Sequence, residues 1–299
     1  MSPLYRETPL IDSPVLSRKL SKEVYLKLEN LQPSGSFKNR GIGFLCRQFA
    51  SEGAKLFVAS SGGNAGLAVA HAGNCLGVPV KVVVPETTSP YMRDKIEKEG
   101  AEVIVHGENW NASDPLAREL SAPESAYYIP PFDHPLIWEG LATMIQEVAD
   151  AGLKPDVVLL SVGGGGLFCG VVEGMRQQGW NDVPVIAVET EGAPTLSRSM
   201  EEGKIVTLDA IKTVATSLGA TRVTEQALRW TNTHPVISKL VTDDQALRAV
   251  EKFADDHRML VEPACGATLS LLYEQDECLK PFRKILAIVY GGAGIKQQL

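Results

Sequence analysis

Basic runs, paired cysteines, long apolar stretches and metal-ligand spacings are all missing from this sequence, and each absence removes a class of function. Among 299 residues, 29 Lys and Arg face 36 Asp and Glu, giving a formal net charge of -7 with no clustered basic run. Nucleic-acid binding draws on clustered positive charge, so no nucleic-acid partner is expected. Cysteine is scarce: Cys46, Cys75, Cys169, Cys265 and Cys278 are an odd number, widely spaced, with no CxxC pair and no secretory signal ahead of them. They are expected to be reduced thiols in a cytoplasmic protein. The opening MSPLYRETPLIDSP is polar and broken by proline, unlike a signal or transit peptide. The longest stretch free of Asp, Glu, Lys, Arg and His, 157–172, holds four consecutive glycines. It falls short of the roughly 20 apolar residues of a spanning helix, so no membrane association is expected. Histidines at 71, 106, 134, 234 and 257 show no HxxxH or comparable spacing, which leaves a zinc site without support, and no GxSxG elbow is present.

What is present is an alternation. Short apolar, β-branched runs recur at 24–29, 55–60, 80–85, 101–107, 156–163, 184–190 and 285–292, and helical patterns at 38–52, 64–76, 91–99, 135–151, 242–257 and 265–274. Continuous rather than alternating hydrophobicity suits strands buried on both faces, and strands interleaved with helices imply parallel sheets covered by helices. The fold class is α/β. With 44% hydrophobic residues the chain can bury a large core, and its length suggests two lobes at about 150 residues per domain. The proline-rich segment YYIPPFDHP at 127–135 either crosses between the lobes or is a rigid loop.

Three glycine-rich turns each follow a predicted strand: Ser60 to Gly66, Gly163 to Gly166, and Gly291 to Gly294. Ligands collect beyond the carboxyl ends of parallel strands, so three such turns suggest one shared site. Gly163, Gly164, Gly165 and Gly166 let the backbone approach an anion, and with the following helix they form a phosphate cradle, or else only a tight turn. The run is neither GxGxxG nor GxxxxGK[ST], so a dinucleotide or nucleoside triphosphate is not indicated. Ser61, Gly62 and Asn64 offer hydroxyl, amide and backbone donors suited to a carboxylate, although Asn64 equally suits a simple N-cap. In PSGSFKNR, Lys38 stands beside Phe37 and small hydroxyl residues where a helix could begin, either as a Schiff-base lysine or as a solvated one. A reactive lysine, a phosphate cradle without a nucleotide signature and a carboxylate site are jointly what a pyridoxal phosphate enzyme acting on amino acids needs.

The segments PSGSFKNR, SSGGNAG, SVGGGGLFCG, AVETEGAP, PPFDHPLIWEG, LVEPACGA and IVYGG resemble the L-serine dehydratase / L-threonine deaminase family of fold-type II pyridoxal phosphate enzymes, from about Thr8 to Ile295. The likeness is greatest to its short members, which lack a C-terminal regulatory domain. It implies a tryptophan synthase β-like architecture, with 1–34 and 136–299 as the large cofactor-binding domain, 35–135 as the small domain, and a homodimer. It implies that Lys38 binds the cofactor and removes the α-proton, Phe37 lies against the pyridine ring, Asn64 bonds the ring hydroxyl, and Gly163 to Gly166 hold the phosphate. Ser61, Gly62 and Asn64 would take the substrate carboxylate. Positions matching a monovalent cation site (K+) are Glu189, Ala193, Ser217, Leu218 and Ala220. The implied reaction is β-elimination of L-serine to pyruvate and of L-threonine to 2-oxobutyrate, each with ammonia.

Two departures stand out. Tyr290 occupies the place where the family usually has a cysteine facing the pyridine nitrogen, so it either meets that nitrogen or turns away as a core residue. An uncharged partner leaves the nitrogen largely unprotonated, which favours elimination over transamination. Gly62 stands where the more active members have alanine, and the expectation is that extra room beside the carboxylate slows the reaction, so that Gly62→Ala raises turnover. The alternatives are a serine racemase, a D-amino-acid dehydratase, a β-replacing synthase, or a weakly active cofactor-binding relative.

Overall fold

The computed structural model describes residues 3–294. In chain order the elements are β1 (Leu10–Asp12), α1 (Pro14–Leu20), β2 (Glu23–Lys27), α2 (Lys38–Ser51), β3 (Leu56–Ala59), α3 (Asn64–Leu76) and β4 (Val80–Val84). They continue with α4 (Pro90–Lys98), β5 (Glu102–Val105), α5 (Trp110–Leu120), β6 (Ala126–Tyr128), α6 (Pro135–Asp150) and β7 (Val157–Ser161). Then follow α7 (Gly166–Gln177), β8 (Val185–Thr190), α8 (Thr195–Glu202), α9 (Glu225–Thr231), β9 (Val236–Val241), α10 (Asp243–His257), α11 (Pro263–Tyr273) and β10 (Lys284–Ile288). The described residues divide into two compact units, one within Met1–Arg6, Gln32–Gly140 and Ala293–Leu299, the other within Glu7–Leu31 and Leu141–Gly292. Ile295, where the sequence resemblance ends, lies outside the described residues.

The first unit is built on a four-stranded sheet in the order β5-β4-β3-β6, parallel throughout. Val58 and Val83 are fully buried beside Ala117 of α5, with Leu56, Ile104, Leu116 and Leu120 packed on them. Each buried valine stabilises the unit by about 1.5–3 kcal/mol. The segment YYIPPFDHP opens in this unit, with Tyr127 and Tyr128 paired to β3.

The second unit carries a six-stranded sheet in the order β1-β2-β10-β7-β8-β9, parallel except for β1 against β2. Strands β7 and β8 are buried along their whole length and β10 along all but its first residue, as their continuous hydrophobicity requires. Because β10 and β7 are parallel neighbours, the turns after both leave on the same side of the sheet. Strand β9 is a half-exposed edge. No helix among the described residues is long and apolar enough to cross a membrane.

Candidate active site

Lys38 is the first residue of α2, immediately after Phe37, which caps the helix without a side-chain hydrogen bond. The preceding loop is fixed from within: Gly35, at φ 78°, lets its N–H donate to Gln32 O at 2.8 Å. Asn39 Oδ1 accepts from both Ser34 N at 2.8 Å and Ser34 Oγ at 2.5 Å. Lys38 Nζ lies 5.0 Å from the Phe37 ring centroid and 5.9 Å from that of Phe132, and donates to Pro131 O at 2.6 Å. The lysine is thus packed between two aromatic rings by the segment that the sequence offered as a crossing or a rigid loop. Beside it, Ser36 is fully buried and its hydroxyl takes no hydrogen-bond partner among the described residues. A buried donor left open next to the lysine suits a site that receives a polar ligand.

The turn between β3 and α3 carries the second group. Its N-cap is Gly63, and Asn64 is the first helical residue, so Asn64 is not the cap. Asn64 Oδ1 accepts from Ala293 N at 2.8 Å, and Ser61 Oγ accepts from Gly63 N at 3.3 Å. Gly66 is obligatory, since a Cβ there would stand 1.8 Å from Ser61 O. The turn is anchored from behind by Ser60, whose hydroxyl donates to Asp114 Oδ1 at 2.5 Å. Tyr128 OH donates to the same oxygen at 2.5 Å, and Arg118 Nε to Asp114 Oδ2 at 2.7 Å. Burial would raise the Asp114 carboxyl, but hydrogen bonds from Ser60, Tyr128 and Arg118 together hold it below its ordinary value. Gly62 corrects an expectation: the space its missing side chain leaves is not open, because a Cβ there would meet Thr88 Oγ1 at 2.3 Å and Thr88 Cγ2 at 2.6 Å. Thr88 fills the room that the sequence assigned to the substrate. Neither Ser36, Thr88 nor Asp114 was legible as a site residue.

In the second unit, the tetraglycine turn joins β7 to α7. Gly165 is the N-cap at φ 91°, a left-handed conformation that favours glycine, and makes no side-chain cap bond. Side chains are excluded sterically as well, since a Cβ on Gly163 would lie 3.0 Å from Leu218 Cα and one on Gly165 2.8 Å from Ala227 Cβ. Gly164 O accepts from Thr224 N at 3.0 Å, fixing the loop to the turn before α9. A helix start stripped of side chains, with no side-chain acceptor of its own at the cap, fits the phosphate of pyridoxal phosphate.

Around this turn stand the remaining predicted residues. Tyr290, 3% exposed, lies beside Cys265, Glu262 and Ser161; burial first, then Cys265 and Glu262, hold its hydroxyl far above its ordinary range against a hydrogen bond with Ser161. Glu189 is fully buried: Oε1 accepts from Thr195 Oγ1 at 3.0 Å and Leu196 N at 2.7 Å, and Oε2 from Ser197 N at 2.7 Å. Burial pushes this carboxyl up to about 7, against the hydrogen bonds that favour its charged form. Thr195 Oγ1 also reaches Gly163 O at 3.3 Å, linking Glu189 to the glycine turn. Ser217 Oγ donates to Glu262 Oε1 at 2.5 Å, while Leu218 O accepts from Ala220 N and Ala193 O from Thr195 N. Glu262 was quoted within LVEPACGA but given no role; here its carboxylate packs against Gly292, where a Cβ would come within 1.9 Å of its carboxyl carbon.

Comparison with known proteins agrees with this geometry. The sequence matches the family described as pyridoxal-phosphate dependent enzymes over residues 1–291. It is 45% identical to L-serine dehydratase/L-threonine deaminase of Bos taurus, over 98% of this chain and 93% of that protein. It is 44% identical to the serine dehydratase-like protein of Homo sapiens, over 99% and 93% respectively. A fungal L-serine ammonia-lyase from Rhizomucor miehei superposes with a TM-score of 0.93 at 39% identity, covering 99% of this chain and 96% of that one. The chain therefore belongs to the family of pyridoxal-phosphate dependent enzymes and shares the fold-type II architecture.

Proposed function

We propose that this protein is an L-serine/L-threonine ammonia-lyase, which converts L-serine to pyruvate and L-threonine to 2-oxobutyrate, each with release of ammonia. The observation that carries the reading is the placement of Lys38 at the start of α2 against Phe37 and Phe132, in a chain alike along its length to proteins named L-serine dehydratase/L-threonine deaminase. Pyridoxal phosphate, when bound, supplies the sink for the electron pair left at the substrate α-carbon.

The chain's own residues do the rest. Lys38 would hold the cofactor through Nζ and, with its amine free, would accept the substrate α-proton at the same atom. Phe37 would pack on the pyridine ring, Tyr290 would face its nitrogen, and Asn64 would bond its hydroxyl. Backbone N–H groups of Gly163 to Gly166 would hold the phosphate at the start of α7, where the helix dipole favours negative charge. Ser61, Gly62 and Asn64 orient the substrate carboxylate. Water leaves in the elimination and returns in hydrolysis of the enamine product, so the net change is amino acid to keto acid plus ammonia.

Further parts of the reading are that 1–34 with 136–299 act as the cofactor-binding domain and 35–135 as the small domain, and that the protein is a cytoplasmic homodimer. Glu189, Ser217 and the backbone at Ala193, Leu218 and Ala220 would bind a monovalent cation such as K+; their clustering about the tetraglycine turn supports this. The test is Lys38→Ala in the cofactor-loaded protein. Loss of both the visible band of lysine-bound cofactor and pyruvate release is expected, and a variant keeping both overturns the assignment.

A further inference from the structure

His71, Cys75 and Glu99 form a cluster that none of these roles uses. His71 and Cys75 stand four residues apart on one face of α3, and Cys75 Sγ lies 3.6 Å from His71 Nε2. The other ring nitrogen, Nδ1, is 2.5 Å from Oε1 of Glu99, the residue that caps the carboxyl end of α4. A carboxylate oxygen accepts, so in the neutral imidazole Nδ1 carries the hydrogen and Nε2 presents a lone pair to the thiol. This is the arrangement of a nucleophile, a base and a group that orients the base. Lys95 and Lys98, on the same helix as Glu99, turn to the Tyr91 ring and to Asp94.

Accessibility separates Cys75 from the other four cysteines. Cys46, Cys169 and Cys265 are buried, and Cys278 is half-buried, whereas Cys75 is exposed. Burial pushes the Cys265 thiol up to about 12; burial, with help from Asp276, does the same for Cys278. Thiols so placed are inert.

We propose that Cys75 is a modification site, a thiol that His71 activates toward small disulfides and soft alkylating agents. The proton passes from Sγ to Nε2 as the sulfur attacks. With a small disulfide, a bond forms between Cys75 Sγ and the nearer sulfur while the disulfide's own S–S bond breaks. The electron pair leaves on the far sulfur, which takes its proton from His71. Cys75 is oxidised to a mixed disulfide, and the small disulfide is reduced to one thiol.

The test uses the cofactor-loaded enzyme with limiting iodoacetamide at neutral pH, each cysteine followed by peptide mass spectrometry, and a parallel series with glutathione disulfide. Cys75 should be modified first. His71→Gln should slow it by about tenfold or more, as expected for loss of a general base, and Glu99→Gln should slow it less. Pyruvate formation should be unchanged in both variants. Loosening of α3 by either substitution would expose the sulfur further and speed the reaction, so a slower rate cannot come from damage to the helix. Equal rates at Cys75 in the unsubstituted protein and His71→Gln, or preferential labelling of another cysteine, would overturn the proposal.

Discussion

Thr88 occupies the space where a side chain on Gly62 would go, its Oγ1 standing 2.3 Å and its Cβ 3.0 Å from the position of a Cβ there. Both γ atoms and the branch point are involved, so rotation of a β-branched side chain cannot relieve the conflict. Gly62→Ala is therefore expected to lower kcat/KM about tenfold, within the ~1–3 kcal/mol that overpacking usually costs. Thr88→Ala alone should be mild, and Gly62→Ala combined with Thr88→Ala should regain most of the loss. Steady-state kinetics on the three variants check this; a Gly62→Ala enzyme faster than its parent would contradict it.

Asp114 anchors the same turn through Ser60, with Tyr128 and Arg118 as its other donors. Asp114→Ala removes the acceptor that Ser60 and Tyr128 share, leaving those hydroxyls only each other at 2.9 Å, and is expected to cost about 1–3 kcal/mol, read from urea unfolding. Because Ser60 precedes Ser61 directly, KM for L-serine should rise more than kcat falls. An unchanged KM would disconnect this network from the carboxylate turn.

The buried histidines should make acid destabilising well above the carboxylate range. Burial holds the imidazoles of His134, His234 and His257 below their ordinary value. A histidine depressed in the folded state contributes stability that is present above the unfolded value of 6.5 and is lost as pH falls through the folded one. Glu189, held up to about 7 by burial, gains stability over the same range, so the rings are read in a Glu189→Gln variant. Its thermal unfolding midpoint should fall from pH 7.5 down to about 5.5, and a flat or rising midpoint would contradict the burial of these rings.

In the second unit Lys27, 1% exposed, donates to Glu147 Oε2 at 2.5 Å and Thr8 O at 2.6 Å. Glu147→Ala leaves a buried ammonium without its charge partner and should cost about 3–5 kcal/mol. Lys27→Met with Glu147→Leu should cost much less. Chemical denaturation of both variants decides between a required ion pair and replaceable volume.

Legibility followed sequence distance. Helix α3 and the parallel core strands were readable because their signals are local: unbroken β-branched runs, then a glycine turn, then small helix formers. Strand β9 was missed because VISKLV is a half-exposed edge and never reads as a continuous apolar run. Helix α5 was hidden by Pro115 in its interior. Lys38 and the tetraglycine announced themselves by residue type, whereas Thr88, 26 positions after Gly62, and Asp114, 54 after Ser60, are joined to the site only by folding. His71 and Cys75 share a helical face that the sequence displays, but Glu99 reaches them from another helix.

The most direct measurement adds L-serine, and separately D-serine, to the protein loaded with pyridoxal phosphate while the cofactor's visible band and pyruvate are followed together. The account predicts pyruvate from L-serine, 2-oxobutyrate when L-threonine replaces it, and little from the D-isomer. Lysine-bound cofactor with no keto acid from either L-amino acid, or consumption of D-serine in preference, would contradict it.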